Sequence, residues 1–485
     1  MPPGPIPDAS EATCVRPGTL TQIKADPLQQ GNPAGMNIPA LIAKYDRRVP
    51  RYTSYPTAPH FSPAVTAADY AGWLGALEDD AALSLYLHVP FCASLCLFCA
   101  CHTSVVHRPE PLESYGKTLL TEIQLVTAAI GRRLKVRHIH WGGGTPTALP
   151  PALMRDVMRS LRMHFDVTPD AEVAVEVDPR ELSDASLHAL GEMGTTRASL
   201  GVQDFDPLVQ QTVHRVQDFD LTAACGERLR GVGVGSINLD LIYGLPHQTQ
   251  RGVAATVEQA LRIVPDRVAV FGYAHVPWMK KHQALLPEDA LPNAAERFAQ
   301  RETVEAVITA AGYEAIGLDH FARPDDALAT AAANARLKRN FQGYTTDDAP
   351  VLLGLGASSI GSLPQGYVQS LPSIPAWRDA VRAGALPVAR GIAMTDTDRL
   401  RRAVIETLMC HNEVDLRAVA SRHDADAASL MDAAPALQEM AHDGLVHWDG
   451  MHVAVTPAGR PFVRAVAAAF DTYLAAGVGR HSAAV

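Results

Sequence analysis

The stretch "LSLYLHVPFCASLCLFCACH", Leu83 to His102, joins a run of apolar residues to a loop that carries four of the chain's seven cysteines. The run is rich in Leu and Val, as expected of a strand that is buried on both faces of a parallel sheet. Clustered cysteines in a long chain favour a metal-binding or catalytic role over a disulfide framework. The stretch therefore predicts a buried strand that leads into a loop with chemistry of its own.

The same pattern of an apolar run followed by a helical segment repeats along the chain. Later runs are "VRHIHWGGG", "EVAVEVD", "TRASLGVQ", "SINLDLIYG", "RVAVFGYAH" and "YEAIGLDH". In the helical segment "PLESYGKTLLTEIQLVTAAIG", Tyr115, Leu119 and Ile123 fall on one face. Alternation of strand and helix over residues 83–362 predicts a parallel sheet, either barrel-like or doubly wound. Polar residues and glycines gather where the runs end, which is where the chemistry of a βα barrel lies.

The composition limits the classes of protein to which the chain can belong. It has 485 residues and a net charge of −10, with 47% hydrophobic and 19% charged residues. These values are typical of a globular protein with more than one domain, and they argue against a broad nucleic-acid-binding face. The sequence contains no apolar window of about 18 residues and no secretory signal, so we expect no membrane span. Clustered cysteines in so long a chain indicate a reducing compartment, and we expect a cytoplasmic protein.

Three segments differ in texture. Residues 1–44 are rich in Pro and Gly and predict a mobile N-terminal arm. Residues 45–385 contain the strand and helix repeat and predict the catalytic domain. Residues 386–485 predict a helical C-terminal domain with a hairpin that turns at Asp449-Gly450, similar to a winged-helix module. This last segment has no dense basic stripe, so a packing or lid role is favoured over DNA binding.

The cysteine spacing indicates a metal centre. Cys92, Cys96 and Cys99 are spaced C-x3-C-x2-C, and Cys101 adds a C-x-C pair. Three cysteines on a cubane iron–sulfur cluster would leave one iron open to a small molecule. Structural zinc would need a closed set of four ligands, with Cys101 or His102 as the fourth. The spacing favours the cluster and leaves zinc as the alternative.

Other motifs at the strand ends are weaker when each is taken alone. The glycines of "HWGGGTPT" would let the backbone approach a ligand closely, although a tight turn would use the same residues. Glu176 suits ribose hydroxyls, although it could cap a helix. Asp240, inside an apolar run, needs either a ligand or a structural partner such as Arg215. Further polar residues at later strand ends are His275, His320 and Arg323.

Taken in order, these motifs resemble those of the radical S-adenosylmethionine enzymes, and among them those of the oxygen-independent coproporphyrinogen III oxidases. The matching segments run from about residue 45 to the C-terminus: "PRYTSYPTAPHF", "YLHVPFC", "FCAC", "HWGGGTPT", "EVDPRE", "GVQDF", "NLDLIYGLP", "DHFARPDD", "RNFQGYTT" and "RGIAMT". Related haem chaperones typically lack Cys101 and the "PRYTSYPT" segment, so the resemblance favours the enzyme. It implies an α/β fold: a partial (β/α)6-type barrel of parallel strands, a mainly helical C-terminal domain and an extended N-terminal arm.

The resemblance also implies cofactors and the residues that hold them. It implies one [4Fe–4S] cluster on Cys92, Cys96 and Cys99, and two molecules of S-adenosylmethionine. Positions matching the first S-adenosylmethionine site are Tyr86, Gly143, Glu176 and Ile360. Positions matching the second are Phe98, Gly144, Thr145, Gln203, Arg215, Asp240 and Ala274. Cys101 and Gln342 are catalytic candidates, and Arg51, Arg323, Arg339 and Arg390 are candidates for binding substrate carboxylates.

The implied reaction is the oxidative decarboxylation of coproporphyrinogen III to protoporphyrinogen IX without oxygen, in haem biosynthesis. In this family, 5′-deoxyadenosyl radicals derived from S-adenosylmethionine remove the hydrogen atoms, and the protein positions the reactants. We expect a monomer that receives electrons from a reductant such as flavodoxin or ferredoxin, with no nucleic-acid or membrane partner. Two alternatives stay open, a haem-binding chaperone without turnover and a zinc-stabilised structural or DNA-binding protein.

Overall fold

The computed structural model describes residues 37–474. The helices are α1 (Ile38–Tyr45), α2 (Ala67–Gly75), α3 (Pro109–Ile130), α4 (Pro151–His164), α5 (Asp184–Met193), α6 (Pro207–Thr212), α7 (Phe219–Gly231), α8 (Gln250–Leu261), α9 (Ala294–Ala310), α10 (Ala327–Ala333), α11 (Ile374–Arg382), α12 (Asp396–His411), α13 (Leu416–Arg422), α14 (Ala434–His442) and α15 (Val463–Ala468). The strands are β1 (Ala82–Val89), β2 (Phe91–Cys92), β3 (Ser104–Val105), β4 (Lys135–Gly143), β5 (Asp166–Val177), β6 (Arg197–Gln203), β7 (Ser236–Tyr243), β8 (Arg267–Gly272), β9 (Glu314–Ile316), β10 (His320–Ala322), β11 (Lys338–Asn340), β12 (Gly343–Thr345), β13 (Val351–Leu355), β14 (Ile360–Leu363), β15 (Gly366–Ser370), β16 (Val388–Ala393), β17 (Glu413–Asp415), β18 (Val446–Trp448) and β19 (His452–Val455).

A twelve-stranded sheet forms the centre of the fold, in the order β16-β15-β14-β13-β1-β4-β5-β6-β7-β8-β10-β9. Strands β1 and β4 to β8 are parallel and follow chain order, and at least one helix lies between each successive pair. Strand β13 adds a parallel neighbour on the other side of β1. This arrangement confirms the predicted α/β class and the six parallel strands of the partial barrel.

The last predicted run, "YEAIGLDH", does not form a parallel strand. It forms β9 and then turns through Gly317, whose φ of +59° lies in the left-handed region, into β10. Strand β10 runs antiparallel to β8, and Ala322 pairs with Arg267 at the beginning of β8. The residue after β10, Arg323, therefore lies at the amino-terminal edge of the parallel strands.

The main core lies between the sheet and the helices that cover its outer face. Leu83, Leu85 and Leu87 of β1 are buried in it together with Leu119 and Ile123 of α3. Because alternate residues of a strand point to opposite faces, the intervening positions of β1 face the interior of the barrel. These intervening residues are Ser84, Tyr86 and His88, so the interior is polar.

A second core joins α1 to the C-terminal helices. Ile38, Leu41, Ile42 and Tyr45 belong to it, and the rings of Tyr45 and Phe462 are 6.1 Å apart. A mobile arm was predicted for residues 1–44, and residues 1–36 of it lie outside the described residues. The following residues form α1, which packs one apolar face on the C-terminal helices, so this part of the predicted arm is packed.

The C-terminal unit contains α12 to α15 and a three-stranded sheet in the order β17-β19-β18. Strands β18 and β19 form the predicted hairpin, and Gly450 in its turn has a φ of +102°. Strand β16 still belongs to the large sheet, so the helical unit begins with α12; the division at residue 385 stays a prediction. None of the helices between residues 37 and 474 has the length and apolar content that crossing a membrane requires.

A buried carboxyl group fastens the loop after β13 to α3. Glu122 is 2% exposed, and its Oε2 accepts a hydrogen bond of 2.6 Å from the amide of Gly356. Burial raises the pKa of Glu122 to about 7, against the opposing effect of this amide. The neighbouring Tyr115 hydroxyl accepts from Ala357 N and donates to His88 O, so the same region supports the end of β1.

We expect the Glu122→Gln variant to change how stability depends on pH. A carboxyl whose pKa rises from 4.5 to about 7 on folding stabilises the fold below pH 4.5, and the fold loses this stability as pH rises through about 7. Glutamine does not ionise, so the variant does not lose stability in this way. The unfolding free energy of Glu122→Gln relative to that of the unaltered chain should therefore rise by on the order of 3 kcal/mol over that range. Denaturant unfolding at pH 5 and pH 8 measures the change. Glu113→Gln, on the exposed side of α3, should show no such growth.

Candidate active site at the carboxyl ends of the parallel strands

A cavity of about 590 Å³ opens where the parallel strands end. Its walls are formed by the cysteine loop after β1, by the glycines at the end of β4 and by the ends of β5 to β8. Most of the predicted site residues line it: Arg51, Cys92, Cys96, Phe98, Cys99, Cys101, Gly143, Gly144, Thr145, Glu176, Gln203, Arg215, Asp240 and Ala274. The structure thus brings together residues that lie more than 200 positions apart in the chain.

Two arginines point at the sulfur of Cys96. Arg215 Nη1 lies 3.5 Å and Arg180 Nη2 lies 3.7 Å from Cys96 Sγ. Both guanidinium groups also pair with Asp178, at 3.1 Å and 2.7 Å respectively. A buried thiolate needs such compensating charge, because burial alone disfavours its charged form.

The other two predicted ligands are also held by polar contacts. Cys92 Sγ lies 3.2 Å from Thr103 Oγ1 and 3.7 Å from Thr145 Oγ1. Cys92 and Cys99 are partly buried and Cys96 is buried, whereas Cys101 is exposed. Within residues 37–474, no group of three His, Cys, Asp or Glu side chains has the arrangement of a site for a single metal ion.

The triple glycine at the end of β4, which we call the glycine cradle, packs so closely on its neighbours that side chains would collide with them. A Cβ on Gly143, whose φ is +116°, would come within 2.6 Å of the His88 ring. A Cβ on Gly144 would come within 2.5 Å of Phe91 O, and one on Gly142 within 2.7 Å of the Glu176 carboxylate. Gly143 and Gly144 line the cavity, so bare backbone faces it beside the cysteine loop.

Glu176 is fixed as a carboxylate beside this cradle. It accepts hydrogen bonds from Gly143 N at 3.0 Å and from His140 Nε2 at 3.3 Å. Burial raises its pKa, but the hydrogen bond and charge of His140 outweigh burial, so the net pKa is lowered. Tyr86 stacks on the same His140 ring with centroids 5.8 Å apart. Three of the four positions predicted for the first S-adenosylmethionine are therefore adjacent.

Ile360, the fourth position, reaches the same region through the backbone. Gly354 of β13 is the register partner of Tyr86, and a Cβ on Gly354 would come within 2.8 Å of the Ile360 backbone. The side chain of Ile360 packs near Phe61 and Tyr367. Its side chain thus packs against an apolar cluster, and its main chain lies beside Gly354.

The positions predicted for a second S-adenosylmethionine all line the cavity. Phe98 belongs to the cysteine loop, Gly144 and Thr145 follow β4, and the others lie in or after β6, β7 and β8. Asp240 accepts hydrogen bonds from Ser199 Oγ at 2.7 Å and from Asn238 Nδ2 at 2.8 Å, and burial raises its pKa. Arg215 donates to Gly201 O at 2.6 Å. The alternative that Arg215 is the structural partner of Asp240 is wrong, because Arg215 pairs with Asp178 instead.

Two predicted arginines lie away from the cavity. Arg323 N donates to Asp266 O, just before β8, and its side chain pairs with Asp325 at 3.2 Å. The antiparallel course of β10 explains this position at the opposite edge of the sheet. Arg390 on β16 donates to Gln369 Oε1 at 2.7 Å, within the antiparallel part of the sheet.

Arg339 and Gln342 lie on the barrel's interior side but outside the cavity lining. Arg339 faces the Tyr344 ring at 4.3 Å and Asp319 at 3.8 Å, so its charge is already paired. Gln342 lines a small pocket of about 50 Å³ that His140 also lines. The Nε2 atom of Gln342 is buried without a hydrogen-bond partner among the described residues.

Sequence reasoning missed His140, Arg180 and Ser199, each of which contacts a predicted site residue. His140 stands two residues before Gly142, so the period of two along β4 could have placed it on the interior face. The same argument holds for Ser199, two residues before Gly201. Arg180 lies in a turn after β5, where no periodicity operates, so no signal in the sequence indicated its contact with Cys96.

Comparison with known proteins identifies the family. The Radical SAM superfamily model matches residues 86–260, and the HemN C-terminal domain model matches residues 394–462. An oxygen-independent coproporphyrinogen III oxidase of Bradyrhizobium diazoefficiens is 50% identical over 450 residues, which cover 93% of this chain and all of the relative. The chain belongs to the oxygen-independent coproporphyrinogen III oxidase family. A relative with the same description in Paracoccus denitrificans is 46% identical over 445 residues, covering 92% of this chain and 98% of the relative.

A solved structure supports the same membership. Coproporphyrinogen III oxidase (HemN) from Escherichia coli, described as a radical SAM enzyme, is 37% identical to this chain. The match has a TM-score of 0.83 and covers 88% of this chain and 100% of the other. The predicted fold and family are therefore confirmed. Membership of the radical SAM superfamily implies a [4Fe–4S] cluster and S-adenosylmethionine as cofactors, and the cysteine donors and glycine cradle fit them.

Replacing single cysteines tests which thiols bind the cluster. We expect Cys96→Ala to lose the bound iron, because the buried Cys96 would be one of only three ligands. Cys101→Ala should keep its iron, because Cys101 is exposed and lies outside the C-x3-C-x2-C spacing. Iron and sulfide per chain after anaerobic reconstitution measure the difference, with Cys225→Ala, a buried cysteine of the main core, as the control. Full iron content in Cys96→Ala would contradict the assignment.

Proposed function

We propose that this chain converts coproporphyrinogen III to protoporphyrinogen IX by oxidative decarboxylation without oxygen, in haem biosynthesis. The observation that carries the proposal is the single cavity in which the three thiols, the glycine cradle and Glu176 meet. The near full-length similarity to enzymes named for this reaction supports it. When bound, the cluster and S-adenosylmethionine supply an electron and an organic radical that can remove a hydrogen atom from an unactivated carbon.

In this proposal, Cys92, Cys96 and Cys99 hold the cluster. Arg180 and Arg215 donate to the Cys96 sulfur and offset its negative charge. Glu176, held ionised by His140 and the Gly143 amide, offers a fixed acceptor to a cationic or hydroxylated ligand. The glycines let the ligand approach the backbone where a side chain would exclude it.

Two groups of residues support the proposal of two molecules of S-adenosylmethionine. In the first group, Tyr86, Gly143 and Glu176 meet around the His140 ring, and the Ile360 backbone lies beside Gly354, the register partner of Tyr86. The second group lines the cavity and comprises Phe98, Gly144, Thr145, Gln203, Arg215, Asp240 and Ala274. Burial raises the pKa of Asp240, and among the described residues its hydrogen-bond donors are the neutral Ser199 and Asn238, so a cationic ligand would help to offset its charge. Equilibrium dialysis with S-adenosylmethionine counts the bound molecules, and a value of one per chain would contradict the second site.

Arg51 is the arginine that we propose for a substrate carboxylate. It lines the cavity and donates to Gly272 O at 2.8 Å, and burial lowers its pKa. Arg297 lies nearby, donates to Tyr273 O at 3.2 Å and has an Nε atom without a partner among residues 37–474. Arg51 also faces Arg339 and Arg297, and among the described residues that act most strongly on Arg51 the carboxylate is Asp319, which Arg339 already approaches. A wall with an excess of buried positive charge favours an anionic ligand such as a propionate.

Cys101 and Gln342 are further candidates for roles near the reacting carbon. Cys101 lines the cavity, and its thiol is within hydrogen-bonding reach of Cys99. The unpaired amide of Gln342 can donate to a ligand that enters beside His140. Their contributions require mutational tests on a protein that carries its cofactors.

We further propose that the chain acts as a cytoplasmic monomer that receives electrons from a flavodoxin or a ferredoxin. The reduced thiols and the oxygen-sensitive cofactor support a reducing compartment. Sedimentation velocity tests the monomer, and a dimer at micromolar concentration would contradict it.

Anaerobic purification distinguishes the proposal from its two alternatives. The oxidase should be brown, contain iron, and release CO₂ from coproporphyrinogen III when given a reductant and S-adenosylmethionine. A colourless preparation with zinc and no iron would favour the structural protein. A brown preparation that binds haem and releases no CO₂ would favour the chaperone.

Replacing Arg51 tests the proposed carboxylate contact. We expect Arg51→Gln to raise the KM for coproporphyrinogen III by roughly tenfold or more, because a charge-assisted hydrogen bond is lost. Iron content and S-adenosylmethionine binding should stay unchanged, and Arg51→Lys should recover part of the affinity. Arg323→Gln is the matched control, because Arg323 lies at the opposite edge of the sheet. Equal KM values for the two glutamine variants would refute the contact.

A further inference from the structure

The loop of residues 276–286, between β8 and α9, covers the backbone of the cysteine loop. Gln283 Nε2 donates to Phe98 O at 2.8 Å, and His282 Nε2 donates to Cys99 O at 2.7 Å. Lys280 Nζ donates to Cys101 O at 2.7 Å. Gln283 has no exposed surface and also accepts from Val276 N, so the loop is fixed on both sides of these contacts. The 276–286 loop therefore contacts the backbone of the cysteine loop directly.

The 276–286 loop exposes three large apolar side chains that its contacts with the cysteine loop do not use; we call these three side chains the apolar patch. Trp278, Met279 and Leu285 are 40%, 64% and 71% exposed, and large hydrophobic side chains with such exposure are few among residues 37–474. An apolar patch with a polar rim is typical of a protein–protein contact. Neither the cofactor cavity nor the proposed carboxylate wall uses these three side chains.

The rim of this patch is positively charged. The Arg48 guanidinium lies 5.1 Å from the Trp278 ring centre, and Lys281 is exposed beside Lys280. The chain as a whole has a net charge of −10, so this local group of cations is opposite in sign to the net charge of the protein. Two acidic residues follow the loop: Glu288 is paired with His275 at 3.2 Å, and Asp289 is exposed, so Arg48, Lys280 and Lys281 outnumber the one exposed carboxylate that is not paired with His275. An acidic partner would complement this surface and would be steered towards it.

We propose that the 276–286 loop, together with Arg48, is the docking surface for a small acidic electron-carrier protein. The inference rests on the proposed function, because it requires a cluster on Cys92, Cys96 and Cys99. Electron transfer weakens steeply with distance, and this surface is separated from the cysteine loop by one layer of side chains. One electron leaves the carrier's redox centre and enters the cluster, and no atom or proton is transferred. A contact of this kind can be small and short-lived.

Charge reversal on the full-length, reconstituted protein tests the surface. The probe is a reduced ferredoxin with an acidic surface, mixed anaerobically in a stopped-flow instrument. We expect Arg48→Glu with Lys281→Glu to lower the second-order rate constant of cluster reduction at least tenfold at low salt, and to weaken binding of oxidised ferredoxin similarly. Reduction by dithionite, which needs no docking, should stay within twofold. Arg336→Glu, an exposed arginine after α10, is the control and should match the unaltered chain.

The apolar patch is tested separately. Met279→Ser and Leu285→Ser should raise the ferredoxin dissociation constant severalfold without changing the iron content or the electron paramagnetic resonance spectrum of the cluster. If the charge-reversal variant is reduced by ferredoxin as fast as Arg336→Glu, the docking surface is refuted. It is also refuted if dithionite reduction falls equally, because the loop then acts only by holding the cluster in place.

Two other occupants of the patch would give distinct results. Hydrogen exchange of residues 276–286 should slow when ferredoxin is added. Full protection without ferredoxin, independent of protein concentration, would show that residues 1–36 of this chain cover the patch. Protection that increases with protein concentration would indicate a second copy, and both results would overturn the proposal. A protein without iron would refute the proposed function itself, whereas a cluster that dithionite reduces leaves it standing.

Discussion

The backbone ladder between β1 and β4 is the constraint on which the site depends. It sets Tyr86 opposite His140 and Val89 opposite Gly143. The ladder does not stop where the strands end, because Gly144 N donates to Val89 O and Thr145 N to Phe91 O. These two hydrogen bonds tie the cysteine loop to the glycine cradle, so a metal centre and a ligand-binding backbone share one rigid register. A shift of one residue would turn every interior side chain outwards.

Below the cavity, the interior of the barrel contains buried ion pairs. Arg197 Nη2 lies 2.8 Å from Glu172, and although burial raises the Glu172 pKa, Arg197 lowers it to about 2. Arg267 pairs with Asp326 at 2.9 Å beside it. Buried pairs of this kind add little net stability, but breaking one leaves an uncompensated charge. They therefore suit a site that must keep polar groups at fixed positions and exclude water.

The sequence was sufficient for the parts of the fold that repeat. Six of the apolar runs became parallel strands because each is followed by a helical segment long enough to return the chain. The prediction of a parallel strand for the run "YEAIGLDH" was wrong, because an apolar run of this length does not reveal whether the neighbouring strand is parallel or antiparallel. The eight residues of α1 were missed because so short a segment gives little periodicity, and its stability comes from packing on Phe462.

The position of Arg51 in the cavity depends on polar contacts between residues far apart in the chain, which the sequence does not reveal. The same contacts give the C-terminal unit a role. Arg464 of α15 donates to Pro50 O, and the Tyr52 hydroxyl donates to Asp471 at 3.0 Å. The segment between these two contacts is the one that carries Arg51 into the cavity. Tyr52 has a φ of +48°, a conformation that a tyrosine keeps only when its surroundings fix it. The C-terminal unit therefore acts on the cavity by holding this segment in place, which is a positioning role that neither a detached lid nor a DNA-binding module would need.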